Sequence, residues 1–424
     1  MITFSPRNRE LVFLVVVGIL TATGFASVYI ARQAVVSTAS LTYAAIFFGL
    51  YLVAHVVCRI TVPFADSYLL PIAGLLTAVG VTEIYRLAPK DAFKQGFWII
   101  VAVGLFAATL FLLRQDYRRL ESYKYLFGLG AVVLLILPLA PGIGRVVNGA
   151  RLWVGVGSLR FQPGELAKIS LILFLAGYLR EKREVLAQGR LKDFGPLLVI
   201  WGLAMLVLLE TRDLGGSLLY FGIFLAMLYV ATARLAYVVA GIVLFGVGSL
   251  GVWSVTPHVR DRVDIWINPW RHEHTTGYQL IQSLYSIGHG SYLGAGFGRG
   301  VVTTLNGHPL IPSANTDFIY SVAAQEMGLV GASALLLVYM IFVLRGVRIA
   351  LLAEDGFSKL LALGLTFAFG LQTFIIVGGI LRLIPLTGLT LPFVSYGGSS
   401  VVANFVLLAG LLLVSNRVNR DMLR

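Results

Sequence analysis

Residues 11–31, LVFLVVVGILTATGFASVYIA, form an unbroken apolar stretch without a charged side chain. At ~1.5 Å of rise per residue, a helix of this length crosses the roughly 30 Å hydrocarbon core of a bilayer. Arg7 and Arg9 precede the stretch, as in a signal peptide, but it is about 21 residues long and has no small-residue cleavage site. We therefore expect a retained transmembrane helix.

Further apolar blocks follow, separated by short charged segments. Solid blocks favour helices, because the strands of a membrane barrel would alternate apolar and polar residues. The sequence thus predicts an all-α polytopic membrane protein with about 12 transmembrane helices and no strands. The predicted spans are 11–31, 42–60, 67–86, 96–114, 124–141, 165–180, 195–210, 214–231, 235–255, 318–346, 358–383 and 393–416.

The composition of the 424 residues agrees with this class. Hydrophobic residues make up 58% and charged residues 12%, about half of the roughly 25% typical of soluble domains. A soluble enzyme, a disordered chain and a nucleic-acid-binding protein are excluded. One cysteine, Cys58, allows no disulfide within the chain.

The basic residues predict the orientation of the chain. The loop set that includes both termini carries 19 Lys and Arg, and the other set carries 9 once the long loop 256–317 is left out. Because cytoplasmic loops collect positive charge, we expect both termini in the cytoplasm and the long loop outside. This bias also explains the net charge of +13.

Two predicted outside segments, 142–164 and 256–317, are rich in Gly, Arg and aromatic residues. A long loop in a compact protein is usually functional or disordered. Apolar residues at partly helical spacing predict ordered, partly helical structure in the second segment. Residues 276–289 in particular predict an amphipathic or re-entrant helix, which at membrane depth needs a protein cover over its backbone.

Charged side chains in or beside membrane spans are costly and point to function. Glu165 and Lys168 lie three residues apart at the start of the sixth span, so they share a helix face. They form either a buried pair facing a cavity or a first-turn Glu with a Lys that reaches the surface. Asp213 and Asp317 each precede a span, where an Asp either caps the helix or serves a site at the outer boundary.

Other polar motifs carry weaker signals. The sequence TLPFVSYGGSS over 390–400 introduces the last span, and its small residues also suit close helix packing. His272 and His274 lack the spacing of a helical zinc pair, and no nucleotide-binding glycine loop is present, so neither site is expected.

These segments, in their order along the chain, resemble the motifs of the SEDS family (shape, elongation, division and sporulation), whose members include RodA and FtsW. Each motif alone is weak, but the ordered set is specific and covers about 66–416. Residues 1–65 would then supply two helices beyond the family's ten, and 417–424 a cytoplasmic tail. The matching stretches are 148–153, 161–168, 213–215, 268–269, 277–279, 294–300, 316–320, 328–331 and 384–400.

The resemblance implies a peptidoglycan glycosyltransferase that polymerises glycan strands from lipid II at the outer face of the bacterial plasma membrane. Undecaprenyl pyrophosphate would leave, and direct attack would invert the anomeric centre. The family's catalytic carboxylate maps onto Asp317, and its supporting polar residues map onto Glu165, Lys168 and Asp213. An elongation-type, RodA-like role in cell shape is favoured, with a division-type, FtsW-like role as the alternative.

The same resemblance suggests further site residues and partners. Asp317 could hold a divalent cation, Mg²⁺ or Mn²⁺, that offsets the charge of the leaving pyrophosphate; no organic cofactor is expected. A class B penicillin-binding protein, whose transpeptidase crosslinks the strands, is the expected partner beside other elongation or division proteins. The candidate substrate-binding residues are Arg151, Trp153, Arg260, Arg262, Ser395 and Tyr396, with Lys168 and Arg151 preferred for the pyrophosphate.

The chain departs from the family pattern at several positions. Gly164, Thr211-Arg212, Asn315 and Gln325 stand where the family often has Ser, Gln-Pro, His and Glu. None of these changes removes a mapped charge. Two rival functions remain at this stage: a lipid II flippase or transporter, and a non-catalytic scaffold. Transporters typically have paired broken helices and repeat symmetry, and neither is apparent in the sequence.

Overall fold

A computed structural model describes residues 6–33, 38–147, 150–156, 159–188, 195–301, 303 and 309–422. The described chain is mostly helical, as predicted, because a helix pairs its backbone groups internally where no water is present. The α-helices are α1 Pro6–Gln33, α2 Thr38–Thr61, α3 Leu69–Leu87, α4 Pro89–Leu113, α5 Lys124–Ile136, α6 Pro163–Glu181, α7 Arg183–Gln188, α8 Gly195–Glu210, α9 Leu214–Thr232, α10 Leu235–Val255, α11 Pro257–Ile267, α12 Tyr278–Gly290, α13 Ile319–Leu352, α14 Gly356–Ile380 and α15 Gly398–Asp421.

Ten helices within the described residues are long and apolar enough to cross a membrane, and they match ten of the predicted spans. The other two predicted spans also form helices. α6 carries four ionisable side chains, and α8 has only 16 residues. The prediction of an all-α polytopic membrane protein is confirmed.

A small antiparallel sheet lies where the sequence analysis expected no strands. Its strands are β1 Gly144–Val147, β2 Ala150–Val156 and β3 Leu159–Phe161, in the order β1-β2-β3. These strands do not span the membrane as the strands of a barrel would, because they lie in a segment between membrane helices. β3 ends two residues before α6 begins, so the sheet leads directly into the Glu165–Lys168 segment.

The chain divides into two compact units. The first unit comprises Met1–Leu112, Asp261–Arg345 and Gln372–Arg424. Within it, α1 and α2 pack on each other and on α3. A buried polar network secures this packing: the Glu10 carboxylate contacts both Arg7 and His55, and Arg7 also donates to the carbonyl of Ala65.

Helix α13 is broken at Gly328, whose φ of +66° suits glycine. The break leaves backbone groups that the segment after α12 satisfies. The amide N–H groups of Leu329 and Val330 donate to the carbonyls of Ser291 and Tyr292 at 2.9 and 3.2 Å. The first part of α13 is therefore a short helix held at its end by this segment.

The described residues of the long loop, 256–301, 303 and 309–317, are ordered and partly helical, as predicted. They include α11, a 3-10 turn over Pro269–His272, and α12. Helix α12, Tyr278–Gly290, coincides closely with the amphipathic helix predicted over 276–289, and it buries Leu280 and Ile281.

The second unit comprises Leu113–Arg260 and Gly346–Leu371. Within it, α6 packs between α5 and α9, and α9 also contacts α8 and α10. Helix α6 is the most buried of these, with Phe174 and Tyr178 almost inaccessible. The pair Glu165 and Lys168 lies on this central helix.

Candidate active site

Asp317 lies two residues before the first residue of α13, in the first unit. The segment before it forms a turn, in which the Thr316 hydroxyl donates to the carbonyl of Ser313 at 3.1 Å. Phe318 and Ile319, which follow, are buried. This arrangement anchors the backbone on both sides while Asp317 itself remains partly exposed.

The positive charge of the Arg262 guanidinium interacts electrostatically with the Asp317 carboxylate. A bond from Arg262 Nη1 to the carbonyl of Leu386, 2.7 Å long, fixes the guanidinium. Gly388, with φ +74°, completes the cluster: a Cβ placed there would lie 3.8 Å from both Arg262 Nη2 and Asp317 Oδ2. Glycine therefore keeps the space beside the two charges open.

Protein surrounds the carboxyl group of Asp317, although part of the residue reaches the surface. This burial raises its pKa from the ordinary 3.8 to about 6, while the nearby Thr316 hydroxyl and Arg262 guanidinium act to lower it. A carboxyl group with a pKa close to neutral pH is well matched to accepting a proton from a sugar hydroxyl.

Ser395 and Tyr396 hold the backbone next to Asp317. The Ser395 hydroxyl donates to the carbonyl of Thr316 at 2.5 Å, and the amide of Tyr396 donates to the carbonyl of Asn315 at 2.8 Å. Ser395 is buried. Both residues lie in the predicted site, but in this structure their contacts orient the Asn315–Asp317 segment. Their predicted contact with substrate stays a prediction.

The sequence analysis missed two residues of α4 that support this segment. The Asn315 side chain donates to Asp91 Oδ2 at 3.1 Å. Gln95 donates to the carbonyl of Ser395 at 3.3 Å and accepts from the amide of Gly397 at 3.1 Å. The available signal was a Gln directly before the predicted span 96–114. In the structure Gln95 is fully buried, and a buried amide needs polar partners.

Glu165 and Lys168 form the pair that one of the two sequence interpretations expected. Lys168 Nζ donates to Glu165 Oε2 at 3.0 Å, and the side chains are only 3% and 8% exposed. The lysine therefore does not reach the surface. A buried charge that keeps its partner is a feature of functional polar sites in membrane helices.

Tyr220 of α9, which the sequence analysis missed, joins this polar group. Its hydroxyl donates to the carbonyl of Gly164 at 2.6 Å, and the charges of Glu165 and Asp213 both act on it. Asp213 caps α9, since its Oδ1 accepts the amide N–H of Gly216 at 2.7 Å. The capping interpretation of Asp213 is thus confirmed. Within the second unit, Asp213 and Glu165 both interact electrostatically with Tyr220.

The remaining predicted residues also belong to the second unit. Arg151 and Trp153 are on β2, with Arg151 exposed and Trp153 partly exposed. Arg260 is exposed, and its guanidinium donates to the carbonyl of Trp253 at 3.0 Å near the end of α10. Asn148 and Gly149, which open the matched motif, lie outside the described residues.

A comparison with family models identifies the chain's relatives. The model named FTSW_RODA_SPOVE and described as a cell cycle protein matches residues 61–420. The match begins at the end of α2, so the first two helices precede it.

Curated and solved relatives agree with this assignment. Peptidoglycan glycosyltransferase RodA of Mycobacterium tuberculosis is 38% identical over 439 residues, which cover 99% of this chain and 92% of that protein. A chain solved in a study of how a peptidoglycan synthase complex coordinates polymerization and crosslinking superposes with a TM-score of 0.69, 30% identity and coverage of 84% and 98%. Rod shape determining protein RodA of Thermus thermophilus gives a TM-score of 0.60, 29% identity and coverage of 83% and 97%. The chain therefore belongs to the FtsW, RodA and SpoVE family, and it is an enzyme of the peptidoglycan glycosyltransferase class.

Proposed function

We propose that this enzyme polymerises glycan strands from lipid II and that Asp317 is its general base. The observation that carries the proposal is the Asp317 carboxyl group, which is enclosed by protein near Arg262 in a partly exposed residue and has a pKa raised by burial to about 6. The 4-hydroxyl of the acceptor sugar attacks the anomeric carbon of the donor. The hydroxyl proton passes to Asp317, the bond from the anomeric carbon to the phosphate oxygen breaks, and undecaprenyl pyrophosphate leaves. Attack opposite the leaving group inverts the anomeric centre.

The leaving pyrophosphate needs positive charge, and the chain offers several sources. Arg262 lies beside Asp317 and is fixed by its bond to Leu386. An arginine can bind phosphate oxygens through two parallel hydrogen bonds. Arg262 is therefore a better candidate than Arg260 for binding the pyrophosphate. The Arg260 guanidinium is bound to backbone carbonyls.

A divalent cation fits the site only if the substrate shares in binding it. Among the described residues, no three His, Cys, Asp or Glu side chains are grouped to hold a metal ion. Mg²⁺, however, is often bound by one or two carboxylates together with substrate phosphates. Asp317 would hold such a cation, which would supply neutralising charge to the leaving group.

The similarity to RodA over nearly the whole chain supports a role in cell elongation and shape in the bacterial plasma membrane. The excess of Lys and Arg in the loop set that includes both termini supports termini in the cytoplasm. The structural relative from a complex that coordinates polymerization and crosslinking supports a partner that crosslinks strands, which we infer to be a class B penicillin-binding protein. The division of the chain into an added helix pair over 1–65 and a core over 66–416 stays a prediction.

The test of this function uses the purified chain with lipid II and a divalent cation, alone and with the penicillin-binding protein. Glycan polymer is the expected product. Translocation of lipid II across vesicles without polymer would mean a flippase instead. Neither polymer nor translocation, with the partner still bound, would mean a scaffold.

The pH dependence of polymerisation provides a second test. The base must be deprotonated to act, and its pKa is raised to about 6, so activity should be lost as the pH falls through 6. We expect kcat/KM at pH 5 to be about tenfold lower than at pH 7, with a plateau above. A profile that stays flat from pH 5 to 7 would contradict the role of Asp317.

Cysteine labelling tests the orientation. His274, whose side chain is 89% exposed, lies in the long loop, and Glu354 is exposed between α13 and α14. On intact spheroplasts, a membrane-impermeant maleimide should modify the His274→Cys variant and not the Glu354→Cys variant. The native Cys58 is fully buried and should give little background. The opposite labelling pattern would reverse the orientation.

A further inference from the structure

An apolar groove opens on the surface of the first unit between α2 and α4. The groove has a volume of about 320 Å³, which lies at the lower end of the range for ligand pockets. Helix α3 and Phe25 of α1 complete its walls. Among its aromatic lining residues are Tyr43, Phe47, Tyr85 and Phe93.

The mouth of the groove is built from exposed apolar side chains. Ile46, Phe93 and Phe97 line the groove and are each more than half exposed. They belong to α2 and α4, both of which are long and apolar enough to cross a membrane. The groove therefore opens to the hydrocarbon of the bilayer, and a hydrocarbon chain is the natural occupant.

The groove lies on the same side of the membrane as the catalytic carboxylate. Asp91, in the first turn of α4, is two residues from Phe93 and accepts a hydrogen bond from Asn315 at 3.1 Å. Asn315 is in turn two residues from Asp317. A lipid of the leaflet next to Asp317 can thus reach the groove.

Basic side chains stand beside the mouth. Lys90 and Lys94 are both exposed and lie one turn apart on α4, next to Phe93 and Phe97. Lys94 Nζ is 3.4 Å from Asp91, so the three side chains together retain one positive charge. A lysine near a membrane surface attracts anionic lipid headgroups by about 1 kcal/mol. The rim therefore complements the phosphate of a lipid whose chain fills the groove.

We propose that the groove binds one acyl chain of an anionic phospholipid and that Lys90 and Lys94 bind its phosphate. The proposal names a membrane lipid and not the lipid-linked sugar substrate, because α1 and α2, which supply part of the walls, precede residue 61, where the family match begins. One role of the N-terminal helix pair is thus to form a lipid site beside the enzyme core.

Two glycines of α4 allow a matched test. A Cβ added at Gly96 or at Gly104 meets no atom within 4 Å, so Leu should be accommodated at both. Gly96 lines the groove and Gly104 does not. The full-length chain is reconstituted into vesicles of equal parts phosphatidylglycerol and phosphatidylcholine and extracted in mild detergent, and retained lipid is measured by native mass spectrometry.

Wild type and Gly104→Leu should retain phosphatidylglycerol over phosphatidylcholine by about fivefold, the effect of roughly one lysine charge. Gly96→Leu should lose the retained lipid. Lys90→Gln combined with Lys94→Gln should lose the preference for phosphatidylglycerol, because only the negative charge of Asp91 remains beside the groove. Equal retention of the two lipids by wild type, or retention by Gly96→Leu as strong as by Gly104→Leu, would overturn the proposal. Displacement of phosphatidylglycerol by equimolar undecaprenyl phosphate would overturn it in favour of a substrate site.

Discussion

Replacement of Asp317 by Asn is expected to reduce lipid II polymerisation by about 10²–10⁴-fold, the usual contribution of a general base. Asn keeps the size of the side chain and can cap a helix equally well, but it cannot accept the hydroxyl proton. Because burial raises the pKa of the Asp317 carboxyl group to about 6, the folded protein disfavours the charged form. The neutral Asn variant should therefore fold at least as stably as wild type.

The measurement compares polymer formed by purified Asp317→Asn and wild type in the presence of the penicillin-binding protein, together with the Tm of each. Asp213→Asn is the matched control, since Asp213 also precedes a helix and its capping bond to Gly216 can be kept by Asn. Wild-type turnover in Asp317→Asn would show that Asp317 does not act as the base. Equal losses in both variants, at normal protein levels, would mean that two carboxylates share the chemistry.

The helices and the ionisable residues could be predicted because their signals are local. A span needs about 20 apolar residues in a row. The helical spacing of apolar residues over 276–289 likewise predicted α12, Tyr278–Gly290, to within two residues. The pair Glu165 and Lys168 followed from a spacing of three on one helix. In each case, neighbouring residues alone determine the outcome.

The parts that escaped prediction depend on contacts between distant segments. Arg262 was a candidate substrate-binding residue, but its position near Asp317 was not predicted. The two residues lie 55 positions apart, and Leu386 of a third segment fixes the guanidinium. The break of α13 at Gly328 requires the Ser291 and Tyr292 carbonyls to satisfy the freed amides. The three-stranded sheet was missed for another reason: its strands have only three to seven residues, too few for periodicity to stand out.

Substitutions that break the ion pair between Glu165 and Lys168 are also expected to reduce stability and polymerisation strongly. Lys168→Met keeps the length of the side chain but removes the ammonium that donates to the buried Glu165 carboxylate, and Glu165→Gln removes the negative charge to which Lys168 is bonded. Loss of one member of a buried ion pair typically costs about 3–5 kcal/mol. Each single variant should therefore show a lower Tm in detergent, lower accumulation in the membrane and lower polymerisation.

The double variant, Glu165→Gln with Lys168→Met, separates the structural role of the pair from its role in the reaction. It leaves no uncompensated charge, so stability should recover towards wild type. If polymerisation also recovers, the pair only supports the helix. If stability recovers and polymerisation does not, the charged pair itself acts in the reaction, as expected if Lys168 binds the pyrophosphate. Normal Tm and normal polymerisation in both single variants would contradict the buried pair. A lysine that is only 3% exposed should be destabilised when it loses its counter-charge, unless it reaches water.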